Sequence, residues 1–202
     1  MPFDPERPFA IKPTLRGERT LLRPFETADL DAMGPILADP DVLRLTGSVH
    51  TSDEAENETP ELDARTREWY STRNAQVDRL DLAVVDPATG VCVGETVLNG
   101  WDAGNLACSF RILIGPDGRD RGIGSEATRL TVDHAFSATP LYRLELEVFV
   151  FNPRAQRVYE KAGFVVEGVR RGALRYDGSF VDAILMSILR PEWEQRAALA
   201  AG

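Results

Sequence analysis

Apolar and polar positions change period along this 202-residue chain, and the changes divide it into stretches of different local structure. Leu30, Met33 and Leu37 recur at helical spacing behind Thr27, a residue suited to an N-cap. Gly34-Pro35 interrupts that pattern, so a kink or an early end is expected. Ahead of it, Thr20 to Pro24 predicts a short strand, and the proline-rich Met1 to Pro13 predicts an extended arm. Residues 51–59 (TSDEAENET) carry several acids and no apolar period, which predicts a flexible, solvated acidic loop. Thr59-Pro60-Glu61 then reads as cap and first turn of a second helix, with Leu62, Trp69, Arg73 and Val77 on one face. Trp69 and Tyr70 suit core or rim.

From Leu80 the period shortens to two. Leu80 to Asp86, Val91 to Leu98 and Leu106 to Ile114 are β-rich runs parted by turn signals at Asp86–Gly90 and Asn99–Gly104, which predicts an antiparallel meander. Ser125 to Ser137 predicts a helix and Arg143 to Phe151 a strand. A further helix is capped by Asn152 and stopped at Gly163, and a hairpin turns at Asp177-Gly178 between Phe164–Leu174 and Phe180–Leu189. One strand–helix–strand crossover within an antiparallel series predicts an α+β fold, a mixed and mostly antiparallel sheet of about six or seven strands with helices on both faces. A single domain is expected over residues 14–193, between an arm at 1–13 and a tail at 194–202, with no internal repeat.

Composition narrows the classes of function. The chain is 43% hydrophobic and 27% charged, ordinary for a globular protein. It lacks both an apolar run of membrane-spanning length and the apolar core of a signal peptide, so a cytoplasmic protein without a membrane partner is expected. Cys92 and Cys108 lie in apolar strand-like runs and read as buried thiols, and no Cys/His cluster suggests a metal. A net charge of −9 argues against nucleic-acid binding and agrees with small cationic substrates.

The candidate chemistry begins at residues 119–126, Arg-Asp-Arg-Gly-Ile-Gly-Ser-Glu, between a predicted strand and a predicted helix. Gly122 and Gly124 carry no Cβ to hold a ligand off the main chain, and amide N–H groups converge on an anion at a helix N-terminus. Arg119 and Arg121 add positive charge. The same residues fit the G-x-G-x-x-A form of a dinucleotide fingerprint, with Glu145 about 20 residues onward as the ribose acid. Three features oppose that reading: the turn follows a meander, two arginines flank it, and Glu145 lies inside a strand-like run.

Together with the segment Arg143 to Phe164 (RLELEVFVFNPRAQRVYEKAGF), this turn resembles the GNAT superfamily of acyl-coenzyme A dependent N-acetyltransferases. The phosphate-loop pattern [Q/R]-x-x-G-x-[G/A] is met by Arg119, Gly122 and Gly124. The pattern N-x-x-A-x-x-x-Y-x-K-x-G-F is met by Asn152, Ala155, Tyr159, Lys161, Gly163 and Phe164. The likeness covers about Leu15 to Trp193, and the C-terminal part is similar to the branch acting on amino acids, small amines and ribosomal-protein N-termini. It implies a sheet splayed in the middle, with acetyl-CoA as acyl donor lying between the strands that end near Ile114 and Phe151. It also implies pyrophosphate contacts from residues 119–125, including Ile123 and Ser125, pantetheine contacts at Asn152 and Ala155, and backbone amides of Leu113 and Ile114 on the thioester oxygen. A homodimer is compatible with it.

Transfer to an amine needs a base for the ammonium proton and an acid for the departing thiolate. Tyr159, about two turns beyond the Asn152 cap, is the candidate acid, since a phenol is protonated at neutral pH. Glu95, Glu145 and Glu147 all lie on predicted strands as candidate bases, and Glu95 is favoured. His134, mid-helix, reads as structural or surface. No Cys or Ser has an evident activating partner, which agrees with direct attack in a ternary complex. The expected acceptor is an amino acid or small amine, with a protein N-terminus or an aminoglycoside-type amine as alternatives. A non-catalytic acetyl-CoA sensor is the alternative of a different class.

Overall fold

The computed structural model describes residues 3–201. Eight strands form one sheet: β1 (Leu15–Arg16), β2 (Leu21–Arg23), β3 (Leu80–Val85), β4 (Cys92–Asp102), β5 (Ala107–Ile114), β6 (Arg143–Phe149), β7 (Val165–Tyr176) and β8 (Ser179–Leu189). Their spatial order is β1-β2-β3-β4-β5-β6-β8-β7, antiparallel throughout except for β5 beside β6. The α+β class is as expected, with eight strands where six or seven were anticipated. The two-residue β1 is too short to leave a periodic signal. No helix among the described residues is long and apolar enough to cross a membrane.

Helices cover both faces. On one, α5 (Ile123–Ala138) and α6 (Pro153–Ala162) close a core around Leu82, Phe110, Phe136, Leu144 and Met186. On the other, α1 (Asp29–Leu37) and α4 (Ala64–Ser71) pack Met33, Ile36 and Tyr70 against Ala83, Val85 and Cys92. Both cysteines are free and buried, and burial pushes both thiols up to about 12. The other helices are α2 (Pro40–Thr46), α3 (Ser52–Glu56) and α7 (Arg190–Ala201).

Several expected boundaries are corrected. Thr27 does not cap α1. The first turn is instead held by the buried Asp29 carboxylate, which accepts from the Glu26 amide at 2.7 Å and binds Arg23 through both guanidinium amines at 2.6 and 2.9 Å. The second helix starts at Ala64, capped by Asp63, and not at Thr59-Pro60. A Cβ on Gly34 of α1 would stand 2.1 Å from the Pro60 carbonyl oxygen, so residue 60 packs edge-on against α1. This helix ends at Ser71, and the face expected to include Val77 does not exist as one element.

Residues 51–59 are not wholly a loop. Thr51 caps α3, Ala55 is buried with Leu43 and Val49, and Ser52 is bound twice by Asp177 of the β7–β8 turn, at 2.6 and 2.8 Å. Five residues are too few to show a helical period, so pinning by a distant turn was not visible locally. The arm is folded back: Phe9 lies in the main core and donates its amide to Val77 O at 2.9 Å. Met1 and Pro2 of that arm lie outside the described residues, as does Gly202 of the tail. The rest of the tail continues α7.

Candidate functional site

The site begins where the sheet divides. Parallel pairing of β5 with β6 runs only from Ala107–Arg143 to Ser109–Glu145, after which the strands part. On its other side β5 stays paired with β4 up to Gly94–Ile114. Gly115 N–H donates to Val93 O at 2.8 Å, and antiparallel ladders alternate, so Leu113 and Arg111 turn their amides to β4 while Ile112 and Ile114 turn theirs to the gap. Of the two amides expected at the cleft, Ile114 is therefore correctly oriented. Leu113 contributes only its side chain, because its N–H lies in the ladder.

A cavity of about 320 Å³ fills the gap and is lined by residues from both sheet faces. One wall is the N-terminus of α5. Gly122 is its N-cap at φ 78°, no side chain caps it, and the first helical bond is Glu126 N–H to Gly122 O. The N–H groups of Ile123, Gly124 and Ser125 thus have no helical partner at this wall. Gly124 faces Ile114, and a Cβ there would stand 3.3 Å from Ile114 Cγ1. Ile123 turns its side chain into the core.

The two flanking arginines part ways. Arg119 lines the cavity, yet its guanidinium is occupied: it donates to Ile114 O at 3.2 Å and binds Asp39, the N-cap of α2, and Asp41. It clamps the turn to α2. Arg121 faces away from the cavity, paired with Asp86 at 2.8 Å and donating to Asp117 O. Of the two arginines expected to flank an anion, Arg119 lines the cavity with its guanidinium already paired and Arg121 does not line it, because carboxylates on neighbouring segments hold both. The cation at this rim that the sequence reading missed is Arg154 on α6, paired with Asp120 at 3.1 Å.

Asn152, Ala155 and Tyr159 are brought together on the next wall. Asn152 caps α6 by accepting the Ala155 amide at 3.1 Å, and all three residues line the cavity. Tyr159 is 8% exposed, edge-on to Phe110 and Phe164. Burial pushes its phenol up to about 12, so it stays protonated at neutral pH.

On the opposite face of the sheet stands Glu95, 7% exposed, with Oε2 lacking any hydrogen-bond partner. Burial, with the Asp81 carboxylate nearby, pushes its carboxyl from 4.5 up to about 7, against the opposing pull of Tyr70, Arg111 and Arg79. Of the other candidate bases, Glu147 reaches the cavity but is paired with Arg170 at 2.8 Å. Glu145 does not reach it, being held by Arg143 at 2.8 Å. His134 is half-buried in α5, away from the cavity, and burial lowers its affinity for a proton.

Sequence reading missed α2, whose Asp41, Val42 and Leu45 line the cavity. The signal was present: Asp39-Pro40 is a cap followed by proline at the first helical position, and Gly47 at φ 69° is a left-handed stop. It also missed Arg111, for which no local pattern exists.

Comparison with known proteins agrees with this geometry. The family profile described as "Acetyltransferase (GNAT) domain" matches residues 19–165. The chain is similar to a probable N-acetyltransferase, YjcK, of Bacillus subtilis, 43% identical over 75 residues, 37% of this chain and 41% of that protein. It is also similar to the spermidine N(1)-acetyltransferase of Escherichia coli K12, 33% identical over 84 residues, 42% of this chain and 45% of that protein. The matched stretch spans less than half the length of these two relatives. Among solved structures, a Vibrio cholerae spermidine N-acetyltransferase in complex with CoA and spermine shares the fold. Its TM-score is 0.72 at 22% identity, covering 88% of this chain and 99% of that one.

Proposed function

We propose, from the premise that this chain belongs to the acetyltransferase (GNAT) domain family, that it is an acetyl-CoA dependent N-acetyltransferase acting on a small primary amine. The observation that carries this is the cavity through the divided sheet. It joins an uncapped helix N-terminus and the phenol of Tyr159 on one face to a buried carboxyl with one unpartnered oxygen on the other.

The residues fit the donor. Three free amides at Ile123, Gly124 and Ser125 suit a pyrophosphate, and the absent Cβ of Gly124, on the side facing Ile114, lets it approach, while Gly122 supplies the left-handed turn that begins the helix. The exposed edge of β5 at Ile112 and Ile114 offers main-chain groups to amides of the pantetheine arm, beside Asn152. Acetyl-CoA supplies an activated acyl group as its thioester. The Ile114 N–H is oriented to hold a carbonyl oxygen that gains negative charge during attack.

Glu95 takes a proton from the acceptor ammonium, releasing the lone pair that attacks. With its carboxyl near 7, it is about half ionised at neutral pH, a match for a base working there. Tyr159 gives its proton to the departing thiolate on the other side of the gap. Neither Cys92 nor Cys108 lines the cavity, so transfer is direct, without an acylated cysteine.

A thiol-release assay with acetyl-CoA against a panel of amino acids, polyamines, an aminoglycoside and a peptide N-terminus tests this. Turnover with at least one amine, reduced in Tyr159→Phe, is the expected result. Binding of acetyl-CoA with no turnover on any amine overturns it in favour of the sensor.

A further inference from the structure

Charged groups at the cavity wall fall into pairs, with two exceptions. Asp41 is paired with Arg119 and Arg44, Asp120 with Arg154, and Glu147 with Arg170. That leaves Glu95 and Arg111. Arg111 is exposed at the cavity rim, and among the described residues it makes no ion pair and donates no side-chain hydrogen bond, so its guanidinium is open to a ligand entering from solvent. The register fixes where it points. Arg111 lies opposite Val97 on β4, and Leu113 lies opposite Glu95, so residues 95, 97, 111 and 113 share one face of the sheet. Arg111 and Glu95 are diagonal cross-strand neighbours, a relation that places Cα atoms roughly 7–8 Å apart.

We infer that Arg111 receives a free carboxylate on the acceptor, so that the acceptor is an amine bearing a carboxylate close to its nitrogen, as in an α-amino acid. This rests on the acetyl-transfer reading above and narrows it. A guanidinium presents a planar fork of donors that matches a carboxylate in two parallel hydrogen bonds. Glu95, with Oε2 unpartnered, stands beside it for the ammonium. Both side chains are long, and a zwitterion's two ends bridge the gap between them with each charge opposite its complement. A polyamine would bring its second ammonium to the same face as an unneutralised guanidinium and be repelled. The arrangement thus separates this chain from the polyamine enzymes it is similar to, even though its net charge of −9 would attract polyamines in bulk.

The test compares wild type with Arg111→Met, which keeps an apolar stem, and with Arg111→Lys, which keeps the charge but loses the fork. Each is assayed on matched sets of an amino acid, its carboxamide and its decarboxylated amine, and on spermidine. Wild type is expected to favour the amino acid over its carboxamide and amine by about 10- to 100-fold in kcat/KM, the span of a charged hydrogen bond. Arg111→Met is expected to lose that preference through a raised KM for the amino acid, with KM for acetyl-CoA unmoved, and Arg111→Lys to recover part of it. A merely structural arginine would instead affect all acceptors alike. Preference of the wild type for spermidine or the decarboxylated amines, or an undiminished acid preference in Arg111→Met, overturns the inference and leaves acetyl transfer standing. Absence of turnover on every amine removes the acetyl-transfer reading, and this inference with it.

Discussion

Replacing Glu95 with Gln separates stability from activity, because the carboxyl is poised at a cost to the fold. In the unfolded chain it titrates near its ordinary 4.5, and in the native protein burial moves it to about 7. At about 1.4 kcal/mol for each tenfold change in proton affinity, the difference corresponds to about 3 kcal/mol. The native state binds this proton more tightly than the unfolded chain. Below about pH 4.5 both states are protonated and the stabilising contribution is complete. As pH rises through 7 it is lost, and above that a charge is held in a buried site. Asp81, Arg79, Arg111 and Tyr70, the groups that act on it, are the same in the variant.

Glu95→Gln should therefore match wild type near pH 4 and exceed it at pH 8 by up to about 3 kcal/mol, or roughly 6–12 °C in Tm for a chain of this size. Thermal unfolding at the two pH values measures this. In the same protein, kcat/KM should fall by about 100-fold or more, and the rise of wild-type activity with pH, tenfold per unit below about 7, should flatten. A variant that keeps both its activity and the acidic limb refutes the base assignment. A variant no more stable at pH 8 than wild type refutes the claim that burial raises this carboxyl.

Four further outcomes are expected. Tyr159→Phe keeps the ring contacts with Phe110 and Phe164 but removes the proton donor, so kcat should fall about 100-fold with acetyl-CoA affinity unchanged in calorimetry. Gly124→Glu puts a side chain and a negative charge among the free amides of α5, and acetyl-CoA binding by the same method should vanish; retained affinity would show that the phosphates lie elsewhere. Arg119→Ala frees both the Ile114 carbonyl and Asp39, and should lower stability in urea by about 1–3 kcal/mol, while Arg121→Ala, on the outer face, should leave acetyl-CoA affinity unmoved.

The parts of the fold legible in the sequence are those fixed by local chemistry. Asn152 and Gly163 bracket α6 because a cap acceptor and a left-handed stop act within one turn of chain. Asp177-Gly178 sets the last hairpin because both residues adopt positive φ. The glycine turn was readable for the same reason, while the direction of its arginines was not. Arg121 turns outward because Asp86, on the β3–β4 turn, meets it there, and only the folded sheet brings the two together. Leu113 and Ile114 look alike in sequence, and one register step decides which amide reaches the gap. Tyr70, whose phenol acts on Glu95, sits on a helix whose start was misplaced by Thr59-Pro60. Short helices such as α3 depend on contacts made more than a hundred residues away.

The division of the sheet also divides how the two sides of the cavity can change over evolutionary time. On the α5 side, the groups offered are main-chain amides and the exposed edge of β5, which persist through most side-chain substitutions so long as Gly122 and Gly124 remain. On the other side, the wall is made of side chains from α2, β4 and β5, where single codon changes at residues such as Asp41, Glu95 or Arg111 alter charge and shape. Substitutions on that second wall can therefore reshape the cavity while leaving the main-chain groups of the first wall in place.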